Sequence, residues 1–433
     1  MVRMIRYILI ILFTTFLSLN ASAFSVIRDA ETEKVVLSYV QKIFQAANLP
    51  PENAQIVLIN DDSVNAFVAG GQTIFIHTGL ITHAQNVDDL MFVLSHEIGH
   101  IVGGHVIRGQ EQYAKIQTMS LITTLLGGLV AVASGEPGAG VALMMGGQSS
   151  AIGLFTAYRQ TEESSADRIA MDLMQKTGYS AKGFLSIMNT IEKQERISAP
   201  EEGTYFKTHP VTRQRVTDLA HFTETTLPLT QDEQFDLIRA KLIGFLYPPK
   251  QVLQLYRGNT PADQYARAIS AYQNNDIQSA IKQLDLLIQE RPKNPYFHEL
   301  KGQILFETGQ IDDALKSYEQ AHQLTTHEPL IDLAYAHVLL EKGNKSSVQK
   351  SIDLIKGVLL LHPDIAFGWQ LLARAFDNQG KNALALYATA EQYMAQNKIE
   401  AAKSMAQKAR DKGITDKTVN NRIDDILSMK KEQ

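Results

Sequence analysis

Two histidines four residues apart, with a glutamate beside the first, are the residues of this chain best suited to chemistry: His96, Glu97 and His100 in the segment LSHEIGH. On a helix, positions four apart lie one above the other, so both imidazoles meet a single cation. Glu97 sits one position round and reaches a water bound to that cation. Two neutral nitrogen ligands, a carboxylate base and a coordination position left for water make a zinc hydrolase. Five letters recur by chance, so the surrounding elements decide.

A catalytic zinc needs a third protein ligand. One solution places a histidine six residues after the second, in H-E-x-x-H-x-x-G-x-x-H. Gly103 fits that pattern, but position 106 is Val106. His105 comes one residue early and points to another face of a continuing helix, where it supports a ligand or lies at the surface. The other solution is a carboxylate from a later helix. Glu163 heads EESSAD, and Asp167 follows one turn further on the same face, which provides a ligand and a hydrogen-bonding partner beside it. Glu162 competes for the ligand role, and the spacing to Ala166-Asp167 favours Glu163.

The elements that must position these residues are mainly helical. Helical patterning runs from Ala30 to about Ala47, Pro50-Pro51 breaks it, and an apolar strand follows at Ala54 to Ile59. Gln72 to His77 reads as a second strand, either an edge beside the cleft or an ordinary core strand. The helix from Val87 to about Val106 carries the histidine pair. Met119 to Phe155, two apolar stretches around GEPGAG, reads as a helical hairpin packed on the core, with a lid or lipid-touching loop as the alternative. Helical pattern returns from Arg159 to about Ile197 and, after a polar linker, continues to Leu246.

Beyond Tyr247-Pro248-Pro249 the chain repeats. Pro295, Pro329 and Pro363 are 34 residues apart, as are Gly309 and Gly343, and Ala280 and Ala314. That period, with paired amphipathic helices and small residues at close-packing positions, is that of tetratricopeptide repeats, here about four units and a capping helix. Such arrays present a groove to partners. The expected organisation is a leader over residues 1–23, a metallopeptidase domain over 24–247 with a small β-sheet, and an α-solenoid over 248–433.

Composition narrows the setting. Arg3 and Arg6, the apolar run from Tyr7 to Leu19, and Ala21-Ser22-Ala23 have the form of a cleaved signal peptide, with a bacterial periplasm as the expected compartment. The chain has no cysteine, which excludes a thiol nucleophile, a thiolate zinc site and a disulfide framework. Loss of the leader lowers the formal charge of −5 by two, and there is no basic block, so nucleic acid is not an expected partner.

NAFVAGGQTIFIHTGL, then HEIGH, then E-x-x-x-D with Asp167 followed by Arg168, then THP with Arg215 downstream, resemble the zinc metallopeptidases of the HtpX and CAAX-endopeptidase type, over about Phe24 to Thr225. The family commonly shows S-R shortly before the ligand glutamate, whereas this chain has Tyr158-Arg159-Gln160-Thr161, with the arginine one position early. The resemblance implies a gluzincin-type domain, His96, His100 and Glu163 as the ligands of one Zn2+, and Glu97 as the catalytic base. Together with the leader and the repeats it further implies quality control of unfolded or misassembled outer-membrane proteins, near the barrel-assembly machinery. The tetrahedral oxyanion needs a further donor. His209, Tyr205 and Arg215 are candidates because they lie near the THP segment. A neutral His209 could instead bind the metal, displace the water and hold the enzyme latent. The reading from a different class is a chaperone or adaptor that acts through the repeat groove while the protease is silent.

Overall fold

The computed structural model describes residues 25–69, 71–105, 160–197, 209, 215, 219 and 227–429. The leader, Tyr205 and the Met119 to Phe155 segment lie outside the described residues.

A four-stranded sheet forms from β1 (Val26–Ile27), β2 (Gln55–Ile59), β3 (Ala66–Ala69) and β4 (Thr73–His77), in the order β1-β2-β4-β3. β2 and β4 run parallel, and the two outer pairings are antiparallel. Gln72 to His77 is therefore an interior strand. Among the described residues the edges are β1 and β3, and the four residues of β3 are too few to show a strand period in sequence. The His77 N–H donates to the Asn65 carbonyl at 3.1 Å. By the alternation of an antiparallel ladder, the backbone groups of Ala66 and Val68 then point away from β4, along an edge that no described strand covers.

Helix α1 (Ala30–Ala46) is capped by Asp29, whose carboxylate accepts from the Thr32 N–H at 2.7 Å. The short helix α2 (Thr78–His83) leads into α3 (Val87–Val102), which carries the histidine pair and is capped by Asn86. Every residue of α3 from Val87 to Gly99 is buried, so this helix is the centre of the N-terminal core, not a surface element. α3 stops four residues earlier than its pattern suggests. Gly103 caps it and Gly104 adopts φ +66°, which turns the chain back.

Helix α4 (160–177) crosses α3 closely. A Cβ on Gly99 would lie 2.8 Å from the Ala166 carbonyl oxygen. Gly99→Ala must therefore push α3 and α4 apart, and is expected to cost about 1–3 kcal/mol, read as a lower unfolding midpoint. Unchanged stability would contradict this packing. Gly178, at φ +78°, separates α4 from α5 (Lys182–Ile197), where sequence patterning ran on. Asp88 fastens this corner: its carboxylate accepts from the Ser180 N–H at 2.7 Å and from the Thr230 N–H and Oγ1 at 2.7 and 2.8 Å.

α6 (Glu233–Leu246) faces two cores. Phe235, Ile238 and Leu242 pack into the N-terminal core, whereas Leu237 packs with Tyr265, Ile269 and Phe297 of the repeats. Lys241 on the same helix is buried among Asp29, Glu31 and Glu299, with Nζ–O separations of 2.6, 3.4 and 3.5 Å. Tyr265 donates to Glu31 at 2.9 Å, and burial pushes the Glu31 carboxyl up to about 7. This knot ties the start of α1 to the repeat array.

After α7 (Pro249–Leu255), five helix pairs follow among the described residues: α8 (Pro261–Gln273) with α9 (Ile277–Glu290), α10 (Pro295–Glu307) with α11 (Ile311–Leu324), α12 (Pro329–Lys342) with α13 (Lys345–Leu361), α14 (Ala366–Asn378) with α15 (Asn382–Ala395), and α16 (Ile399–Asp411) with α17 (Lys417–Ser428). Proline opens α8, α10 and α12 in the first turn, where its missing N–H costs no hydrogen bond. Ala280, Ala314 and Val348 are all buried at equivalent points. The period lapses at α14, which opens at Ala366 and not at Pro363, because α13 has 17 residues where α9 and α11 have 14. Among the described residues no helix is long and apolar enough to cross a membrane.

Candidate metal centre

His96 and His100 project from one face of α3, and Glu163 meets them from the first turns of α4. His209 completes the group. One ligand atom from each of these four residues lies within 4.8 Å of the others; His96, Glu163 and His209 are buried and His100 nearly so. His96 Nε2 is 3.1 Å from His100 Nε2, 3.2 Å from His209 Nδ1 and 3.3 Å from Glu163 Oε2. His209 Nδ1 is 3.2 Å from Glu163, and His100 Nε2 is 3.5 Å from it. A tetrahedral ion with arms of about 2.0–2.1 Å separates its ligand atoms by roughly 3.3 Å. With Glu163 Oε2 as the oxygen, four edges of this group match that figure, so the residues fit a metal held by three nitrogens and one oxygen.

Outside the group, Asp167 accepts from His96 Nδ1–H at 2.9 Å, which makes Nε2 the ligand atom of this ring. Arg215 grips Asp167 through Nε at 2.6 Å and Nη2 at 2.9 Å, and its Nη1 lies 3.1 Å from Glu163. The guanidinium thus sits behind the carboxylates. Its sequence neighbourhood, near the THP segment, had suggested an oxyanion donor. His105 is buried with its Nδ1 3.0 Å from His100 Nδ1. A continuing helix would have carried it to another face; the turn at Gly103-Gly104 brings it back. Glu162 is half-buried and outside the four-residue group.

The titrations follow from this crowding. Burial opposes a proton on His96, but Asp167 and Glu163 outweigh it and raise this imidazole to about 9. His100, buried beside other imidazoles, falls to about 2. Burial opposes the charge on Glu163 too, yet hydrogen bonds from His209 and His96 hold its pKa below the usual carboxylate range. Asp167 is likewise held low, against burial, by His96 and Arg215. Glu97 moves the other way, raised mainly by burial, with the Glu163 charge adding to the rise. Its carboxylate accepts from the Val68 N–H on the open edge of β3, and its Oε1 lies 3.4 Å from His209 Nε2. His209 therefore touches the ligand group with one nitrogen and Glu97 with the other.

A buried helix bearing H-E-x-x-H, a glutamate from a second helix and a carboxylate aligned beside the ligand cluster define a metallopeptidase. Residues 30–223 match peptidase family M48, and residues 265–329 match a tetratricopeptide repeat. The chain carries an M48 peptidase domain followed by tetratricopeptide repeats and is a metalloendopeptidase. It is 25% identical over 395 residues to the beta-barrel assembly-enhancing protease of Escherichia coli strain K12, covering 88% of this chain and 80% of that protein. The Yersinia pestis protein of the same name is 26% identical over 357 residues, covering 80% and 72%. Metalloprotease LoiP of Escherichia coli is 24% identical over 187 residues, covering 43% of this chain and 69% of LoiP.

Proposed function

We propose that this chain is a periplasmic zinc endopeptidase that degrades unfolded or misassembled outer-membrane proteins, with its repeats, from residue 248 on, docking substrate or the barrel-assembly machinery. The four-residue ligand group with Glu97 aligned beside it carries the reading. The relatives that bear a barrel-assembly name span most of the chain and support the substrate class. Three nitrogens and one oxygen at tetrahedral spacing favour zinc over the octahedral, oxygen-seeking ions.

In this reading His96, His100 and Glu163 hold the zinc, Asp167 orients His96, and Arg215 positions Asp167 and Glu163. Zinc held by these residues would supply an activated water and a Lewis acid for the substrate carbonyl. Glu97 takes the proton of the attacking water and returns it to the leaving amine. Its raised pKa suits both tasks, and its bond to Val68 aligns it with the open edge. An extended substrate adds to β3 through the backbone groups of Ala66 and the Val68 carbonyl, which confers little side-chain selectivity and so suits unfolded chains.

His209 fills the fourth corner, where water must bind. That contact favours a latent resting state in which protease action waits for the His209 segment to withdraw. It also leaves room for the second reading, a chaperone or adaptor acting through the repeats. His209→Ala separates these roles. Removing an outer partner of a ligand already costs about 10–100-fold in metal affinity, so loss of a fourth ligand weakens zinc binding by at least that much. Cleavage of an unfolded protein at saturating zinc is expected to rise. If zinc affinity and cleavage are both unchanged, His209 is not a ligand.

Metal uptake has a proton signature. A proton stays on His96 in the metal-free chain up to about pH 9, because its pKa is raised from 6.5. A ligand imidazole must give up that proton, so zinc affinity rises with pH and levels off above about 9. Titration calorimetry at pH 7 in buffers of different ionisation enthalpy is expected to show about one proton released per zinc. No release would place the metal elsewhere.

A further inference from the structure

The two histidines of α3 are supported differently. His96 donates to a carboxylate, Asp167, whereas His100 meets a second imidazole, that of His105. His100 points Nε2 into the ligand group, 3.1 Å from His96 Nε2, so in the metal-bound chain its Nδ1 must carry the proton. His105 Nδ1, 3.0 Å away, must then accept that proton, which fixes His105 as the neutral tautomer with its hydrogen on Nε2. The two rings meet edge to face, with centroids 5.0 Å apart and planes at 76°. The seat of His105 is built for the ring. A Cβ on Gly103 would lie 2.4 Å from its Nε2 and 2.6 Å from its Cε1, although the Gly103 backbone, at φ −69° and ψ −12°, is one that any residue adopts. Glycine is needed here for space, not for conformation.

We propose that His105 is a positioning residue: by accepting the Nδ1–H of His100 it fixes the orientation of that ring, and Gly103 leaves the room that lets it do so. The proposal rests on His96, His100 and Glu163 holding the metal. Because the contact needs an acceptor at one ring position, side chains of similar size differ sharply in effect. Asparagine places its carbonyl oxygen near the site of Nδ1, whereas leucine fills the space and accepts nothing.

The test uses the full chain and its His105→Asn, His105→Leu and Gly103→Ala variants. Zinc affinity is measured by competition with a chelator, and ligand geometry by the visible absorption of the cobalt(II)-loaded protein. His105→Asn is expected to stay within about threefold of wild type with the wild-type cobalt spectrum. His105→Leu is expected to lose about 10–100-fold in affinity, the range for outer-shell partners, with a changed spectrum. Gly103→Ala, which keeps both histidines but displaces the His105 ring, shifts affinity and spectrum in the same direction and serves if the leucine variant does not fold. His105→Leu or Gly103→Ala folding normally with wild-type affinity and spectrum overturns the proposal. A wild-type chain that binds neither zinc nor cobalt overturns the metal-site reading and this proposal with it.

Discussion

Glu97→Gln is expected to cleave an unfolded protein about 10²–10⁴-fold more slowly than wild type while holding the same amount of zinc. The substitution keeps the shape of the side chain and an oxygen to accept from Val68, so β3 and α3 retain their contact. It removes only the ability to take a proton. Glu97 is 2% exposed, and its carboxylate lies beside the ligand group without belonging to it, so the metal has no reason to leave. Cleavage by Glu97→Gln at a wild-type rate would mean that another group takes the proton. Loss of zinc from this variant would mean that Glu97 is a ligand.

Arg215→Ala is expected to have the largest effect on stability. Arg215 is 2% exposed and neutralises two buried carboxylates, Asp167 and Glu163. Removing one partner of a buried ion pair leaves uncompensated charge and costs about 3–5 kcal/mol. For a domain of this size that corresponds to roughly 6–20 °C in the unfolding midpoint of the peptidase domain. Arg215→Lys should recover little, because a single ammonium cannot hold Asp167 through two parallel bonds while also reaching Glu163. The penalty should shrink when zinc is bound, since the ion supplies positive charge to the same carboxylates. An Arg215→Ala protein as stable as wild type would show that these carboxylates do not need the guanidinium.

The ligand helix was legible because two histidines and a glutamate at fixed spacing leave few other uses for a buried helix. The meeting of Glu163 with the histidine pair was legible for a related reason: Asp167, one turn on, places a second carboxylate on the same helical face. Asp167 was read as a hydrogen-bonding partner beside the ligand, but which ring it meets, and the places of Arg215 and His105, were not legible. They depend on contacts between residues 5 to 71 positions apart whose directions no local pattern encodes. His105 in particular was assigned to another face because helical periodicity was carried past Gly103. The end of a helix at Gly-Gly is a matter of one backbone turn, and that turn decides which ring His105 meets.

The sheet shows the same limit. β4 has enough alternating apolar residues to be read as a strand, but its interior position depends on β3, whose four residues lie in a segment read only as part of a motif. In the repeats, the 34-residue spacing foretold the first helix pairs and their proline starts. The later pairs escaped it because α13 is longer by three residues. The Lys241 knot joins residues from Asp29 to Glu299, and nothing in either segment announces the other.

The central claim is that His96, His100 and Glu163 hold one catalytic zinc. The most direct measurement is cleavage of an unfolded outer-membrane protein by the chain from Phe24 onward, before and after stripping with a chelator and after return of one equivalent of zinc. Cleavage that is lost on stripping and restored by a single equivalent is the predicted result. Cleavage that survives removal of all bound metal would contradict it.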